Sequence, residues 1–355
     1  METGTTNKKR LLEALESGCF EEALRLMQSE SEDVLVECHE NKSSLHLIAS
    51  LTDKNQAIGL CRQFLHKIQD VENRERLLNA TVVEQFVCSH QTIHARAAAI
   101  HIAAYNGNMG VVRVLCDEYG VDINCSTSNT IEERPKKGLT PLYWAAVNGQ
   151  TELVKMLIDI TDVNVNCTED GDRALHVASR NGHIALMNLL LEQNADVNAR
   201  KNTNATPVYV AAMYGHTDAV QLLLDNKADL NATRSTGSTP LYIAAYYGLE
   251  EVVILLLLEN ADVNASKHDG ATPLHAAARK GHTAIAKLLV DHKANINARM
   301  QADGATPLDV AVENGHTEVV DVLTAHKALV NASDTNGILP LNISGQNERN
   351  EAVGR

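Results

Sequence analysis

Asp269-Gly270-Ala271-Thr272-Pro273-Leu274-His275-Ala276-Ala277-Ala278-Arg279-Lys280-Gly281-His282 is a helix with its boundaries written in. Thr272 is suited to cap the helix by accepting a backbone N–H, and Pro273 fits the first helical position, where no N–H is needed. Gly281 supplies the left-handed residue that closes a helix. About two turns lie between these signals, built mostly of small residues that let neighbours approach closely. So short an element cannot bury an apolar face alone and needs a neighbour of its own kind.

Such neighbours recur at a fixed step. The glycine ahead of the Thr-Pro pair falls at Gly237, Gly270, Gly304 and Gly337, with Gly138 and Gly171 upstream and Asn204 substituting once. Successive gaps are 33 residues, with one of 34 where a residue near Met300 is inserted. A second glycine keeps step at Gly149, Gly182, Gly215, Gly248, Gly281 and Gly315. The Thr-Pro-Leu-His pattern at this period resembles the ankyrin repeat family, well formed over Gly138 to Ala332 and looser across nearly the whole chain. The resemblance implies an all-α repeat solenoid, an ankyrin array of about eight repeats plus caps. Helix-turn-helix pairs would be joined by β-hairpin or β-turn fingers.

Outward from that core, residues 1–41 read as N-terminal capping helices, with Leu11, Leu12 and Leu15 on the first and Ala23, Leu24 and Met27 on the second. Residues 42–79 form a degenerate repeat: Ser44-Leu45-His46-Leu47-Ile48-Ala49 lacks the proline, and a long second helix from about Asn55 to Gln69 follows. Residues 80–125 hold a further repeat around His101, preceded by an inserted finger at 80–99. Val82-Val83 and Phe86-Val87-Cys88 there suit a β-hairpin, with a helix left open. A polar insertion loop occupies 126–137. Six regular repeats fill 138–333, each with apolar residues on its second helix, such as Val220, Leu222 and Leu223. Residues 334–355 are a truncated C-terminal repeat and tail, expected to fray.

A net charge of −14 argues against a nucleic-acid surface, which needs clustered Lys and Arg. Seven cysteines, all in the first half and without CxxC, fit free thiols in a reducing compartment. Met1 to Arg10 hold no apolar signal core, and the longest apolar run, Val252 to Leu258, is far short of a membrane span. The expectation is a cytoplasmic monomer, with the nucleus also open, that has no membrane partner and no cofactor. Gly-rich phosphate loops, HExxH, GxSxG and kinase signatures are missing from the sequence, so no enzyme is expected.

His46, His101, His176 and His275 stand at the Thr-Pro-Leu-His position, and His183, His216, His282 and His316 follow the second glycine. The resemblance implies that these eight knit hairpins to helices by hydrogen bonds. Cys88, His90 and His94 lie outside the repeat pattern; a helix would place both histidines on one face, where zinc could bind, but further ligands are not evident. They mark an alternative reading, an effector-like protein with metal- or thiol-dependent chemistry in the insertion.

The residues that the repeat does not dictate are the more informative ones. In ankyrin arrays the first helices and hairpin tips form a concave face that usually binds protein, and the pair before the second glycine is expected to look out from it. Those pairs nominate Tyr105, Val147, Arg180, Met213, Tyr214, Tyr246, Tyr247, Arg279 and Lys280 as partner-binding residues. Tyr, Met and Arg are enriched at interface centres, and this chain is only 3% aromatic. The partner would offer an acidic or aliphatic segment; the other reading is that the tyrosines simply pack on one another. A third possibility makes Asn198, Asn231, Asn264, Asn297 and Asn331 substrates of asparagine hydroxylation, known at this hairpin position in animal ankyrin proteins.

Overall fold

The computed structural model describes residues 2–17, 19–30, 35, 44–78, 82–88, 91–125, 139–160, 163–166, 171–326 and 328. The polar insertion at 126–137, the truncated repeat at 334–355, Asn331 and His90 lie outside them. The chain divides into two compact units, Met1–Ala178 with Ala185–Ala195, and Ser179–Ile184 with Asp196–Arg355.

In the first unit, α1 (Glu2–Glu16) and α2 (Phe20–Ser29) form the opening hairpin. They pack on α3 (Ser44–Ser50) and α4 (Lys54–Lys67), α1 against α3 and α2 against α4. A short helix that the sequence pattern does not announce, α5 (Val71–Leu78), follows; the Arg74 guanidinium ties it back by donating to the Ile68 carbonyl at 2.9 Å. The inserted finger is an antiparallel hairpin of β1 (Val82–Cys88) and β2 (Gln91–Ala97), in register from Val82↔Ala97 to Cys88↔Gln91. Its content of Val, Phe, Thr and Ile favours strand over helix. Next come α6 (Ala99–Tyr105) and α7 (Met109–Arg113), the latter running into a π-helical turn at Val114–Glu118. The unit continues with α8 (Pro141–Val147) and α9 (Thr151–Ile160), most of α10 (Ala174–Asn181) and most of α11 (Ile184–Glu192).

The second unit carries four further helix pairs: α12 (Pro207–Tyr214) with α13 (Thr217–Asp225), α14 (Pro240–Tyr247) with α15 (Glu250–Leu258), α16 (Pro273–Lys280) with α17 (Thr283–Asp291), and α18 (Pro307–Glu313) with α19 (Thr317–Ala325). First helices pack on first helices and second on second. The caps are as the sequence spells them: Thr206, Thr239 and Thr306 accept backbone N–H bonds, and proline sits at the first helical position. Thr272 departs from this, its hydroxyl lying 2.8 Å from His275 Nδ1.

Second helices bury the same places in step. Leu157, Leu190, Leu223, Leu256, Leu289 and Leu323 are all in the core. Of the expected trio on α13, Val220 and Leu223 are buried and Leu222 only half so. Hairpin tips join by backbone bonds, Ser235 N–H to Thr203 O at 2.9 Å, His268 N–H to Thr236 O at 3.2 Å and Gln301 N–H to Asp269 O at 2.8 Å. Gly270 holds φ +82° in such a tip, where a Cβ would come 3.0 Å from the Arg299 carbonyl oxygen. The whole is an all-α repeat architecture with one β-hairpin inserted among the described residues.

Candidate interaction surface

First helices present their last turn at the second glycine, and in three of them that turn is pinned by a histidine of the following repeat. His216 Nε2–H donates to the Arg180 carbonyl at 2.8 Å, His282 to Tyr246 at 3.2 Å and His316 to Arg279 at 3.1 Å. The rings lie so close that a Cβ on Gly281 would come within 2.6 Å of His316. Glycine therefore serves both the left-handed cap and the histidine's approach.

The histidines at the other position bond in two directions. His275 Nδ1 accepts the Thr272 N–H at 3.2 Å, and its Nε2–H donates to the Ala305 carbonyl at 3.1 Å. His101 does the same with Ala98 N–H and the Cys125 carbonyl, both at 3.2 Å. Three tyrosines hold this position in other repeats, which the motif alone does not reveal. The Tyr209 hydroxyl is 2.9 Å from Ser238 Oγ, and Tyr143 reaches Asp172 at 3.5 Å. Lys267 Nζ lies 5.4 Å from the centre of the Tyr242 ring and 2.8 Å from Asp269. Burial opposes charge on both Lys267 and Asp269. Their mutual bond outweighs it, holding Lys267 above its ordinary range and, with the Ala271 N–H, Asp269 below its own.

The nominated residues divide by exposure. Tyr247 is 49% exposed, Arg279 and Lys280 are exposed, and Met213, Tyr214 and Tyr246 are half-buried. The Tyr246 and Tyr247 rings meet edge to face, centroids 5.3 Å apart, and Lys280 Nζ sits 4.7 Å over the Tyr246 ring. Arg279 Nη2 lies 3.8 Å from Met300 Sδ. In the first unit Tyr105 is half-buried, with its ring edge-on to Trp144 at 6.2 Å.

Two residues correct the expectation. Val147, 4% exposed, and Arg180, 8% exposed, are buried and do not look out. Adjacent helical residues point about 100° apart, so a pair before the glycine need not share one outlook. In α14 it is the second member, Tyr247, that opens to solvent.

The asparagines, exposed at Asn198, Asn231 and Asn264, form a ladder. Asn198 Oδ1 accepts from Asp229 N–H at 2.8 Å, Asn231 Oδ1 from Asp262 N–H at 3.0 Å and Asn264 Oδ1 from Asn295 N–H at 2.7 Å. Asn297 donates its backbone N–H to Asn295 Oδ1 at 3.2 Å. In the inserted finger, residues 91–97 are strand, so the helical spacing that would align two histidines is lost. His94 pairs with Gln85 and Cys88 with Gln91, three register positions apart. Among the described residues no group of three His, Cys, Asp or Glu could hold a metal ion. Burial pushes the Cys61 and Cys125 thiols up to about 12 and Cys116 to about 11, which keeps them in the weakly nucleophilic thiol form at neutral pH. No described helix is long and apolar enough to cross a membrane.

No curated protein matches the chain. The family model described as ankyrin repeats (3 copies) matches residues 100–201, 198–267 and 255–334, well over half of the sequence. With capped helix pairs at a 33-residue step, histidines bonded between repeats and hairpin tips joined by backbone bonds, this chain belongs to the ankyrin repeat family.

Proposed function

We propose that the chain is a protein-recognition module that binds an acidic or aliphatic segment of a partner protein across the last turns of α12, α14 and α16. The observation that carries this reading is the Tyr246–Tyr247 pair with Lys280 against it. Helix α14 is buried from Pro240 to Ala245, yet it ends in two adjacent tyrosines, one of them nearly half exposed. Tyrosine offers a large amphipathic contact for little lost side-chain freedom, and such residues dominate binding energy where they cluster. Arg279 and Lys280 add exposed positive charge to a chain of net charge −14, which favours a carboxylate-bearing segment. Because His282 and His316 fix the backbone at Tyr246 and Arg279, little ordering remains to be done on binding.

On this reading Met213, Tyr214, Tyr246, Tyr247, Arg279 and Lys280 touch the partner, and Arg180, buried in the same unit, supports them. The test is capture by the immobilised full chain compared with Tyr247→Ala and with Tyr247→Ala/Lys280→Glu. Capture of a discrete partner should fall about tenfold or more with the unfolding midpoint held. Equal capture by the double variant sinks the reading.

A further inference from the structure

The six regular second helices start in step, and all but α9, one residue longer, end in step, so each surface position has five counterparts to compare with it. At the place of Leu258 the other repeats carry Asp159, Glu192, Asp225, Asp291 and Ala325. At the place of Ile254 they carry Lys155, Asn188, Gln221, Lys287 and Asp321. The fold therefore asks for nothing apolar at either position; all of these residues but Gln221, which is half-buried, are exposed. Only α15 breaks the rule among these helices, with Ile254 38% exposed and Leu258 68% exposed. The two are four residues apart and so lie on one helical face.

The surroundings of this ridge are acidic except for Lys287, exposed on α17 at the place that matches Ile254. Ile254 lines a groove of about 500 Å³ with Thr217, Leu249, Glu250 and Glu251, and a second groove adjoins Glu251 and Asp218. Asp225 on α13 and Glu259 after α15 are exposed beside the far end. An apolar pair inside a carboxylate rim selects its occupant by charge. A second copy of the chain would bring the same acidic rim against this one, and an anionic lipid surface would be repelled.

We infer that the exposed face of α15 is a second docking site, for a basic amphipathic helix of a partner protein that seats two apolar residues on Ile254 and Leu258 and sets Lys or Arg against Glu250, Glu251 and Asp218. The site is on the second-helix side of the repeat and does not depend on the tyrosine surface.

The experiment titrates the full chain with a fluorescent Lys–Leu amphipathic helix of about 18 residues, with a Glu–Leu counterpart as control. The variant is Ile254→Gln/Leu258→Asp, the residues that the neighbouring repeat carries as Gln221 and Asp225, so the fold accommodates them. The wild type should bind the basic helix, the variant about tenfold more weakly or worse, and Tyr247→Ala should bind as the wild type does. A merely electrostatic attraction would do the opposite, because the variant gains a negative charge. Binding that is absent in the wild type, unchanged or tighter in the variant, or equal for the Glu–Leu helix overturns the inference. So does an exposed ridge that instead drives a concentration-dependent dimer of the wild type, or adsorption to phosphatidylcholine vesicles, abolished in the variant.

Discussion

A proton on His101 would have nowhere to go. Nδ1 already accepts the Ala98 N–H and Nε2–H already serves the Cys125 carbonyl, so the imidazolium would set two donors face to face. Burial in addition holds this histidine down to about 4, and it lowers His275 as well. The folded state thus favours the neutral ring, and the unfolded chain takes up the proton first. The stability this contributes is complete above an unfolded value near 6.5 and is lost as pH falls from there towards 4, on the order of 3 kcal/mol for His101 alone. Denaturant midpoints measured from pH 7.5 to 4.5 should fall steadily, and His101→Gln should flatten the slope. At the same scale, Tyr247→Ala should cost under about 1 kcal/mol, because the residue is about half exposed, and Tyr246→Ala roughly 1–2 kcal/mol. Equal, large losses for both would favour tyrosines that only pack. The Thr and Gly roles were legible because each answers a local backbone need, and the His roles because the family resemblance implies them. Tyr209 and Tyr143 at the histidine position were not, since their partners Ser238 and Asp172 lie one repeat away in sequence.

Within one element, α15, neighbouring leucines do opposite work. Leu256 belongs to the buried column that runs in step through the second helices, while Leu258 is open. Leu256→Ala should cost about 2–5 kcal/mol, and Leu258→Ala close to nothing. Because helix pairs stabilise one another, the Leu256 variant should also lower amide protection in α13 and α17, which pack on α15. Loss confined to α15 would contradict shared stability. The helices were legible from 3.6-residue spacing and caps. The finger at 82–97 was not decided, because a short apolar run fits strand or helix equally until pairing across the turn is known. Helix α5 escaped notice since half of Val71–Leu78 is charged and its apolar residues show no clear helical stripe, although Asp70 stands where a cap would. Val147 and Arg180 were misjudged for a related reason: the repeat period fixes where a helix ends, but not how far its last turn is rotated.

For the molecule as a whole, repetition both simplifies and conceals. It made the family and the all-α architecture readable, because the caps of one 14-residue stretch return, whole or in part, at a fixed step. It conceals function, since a binding residue departs from its counterparts in identity, but whether that departure faces solvent needs coordinates. Tyr247 and Leu258 are such departures, on the first-helix and second-helix sides of consecutive elements. The central claim concerns the first of them, and hydroxyl-radical footprinting reads it directly, because tyrosine and methionine side chains are oxidised in proportion to their exposure. With the captured partner added to the full chain, oxidation should drop at Tyr247 first, with Tyr246, Tyr214 and Met213 following, while the buried Tyr209 stays unchanged. Undiminished oxidation at Tyr247 in a fully formed complex would contradict the account.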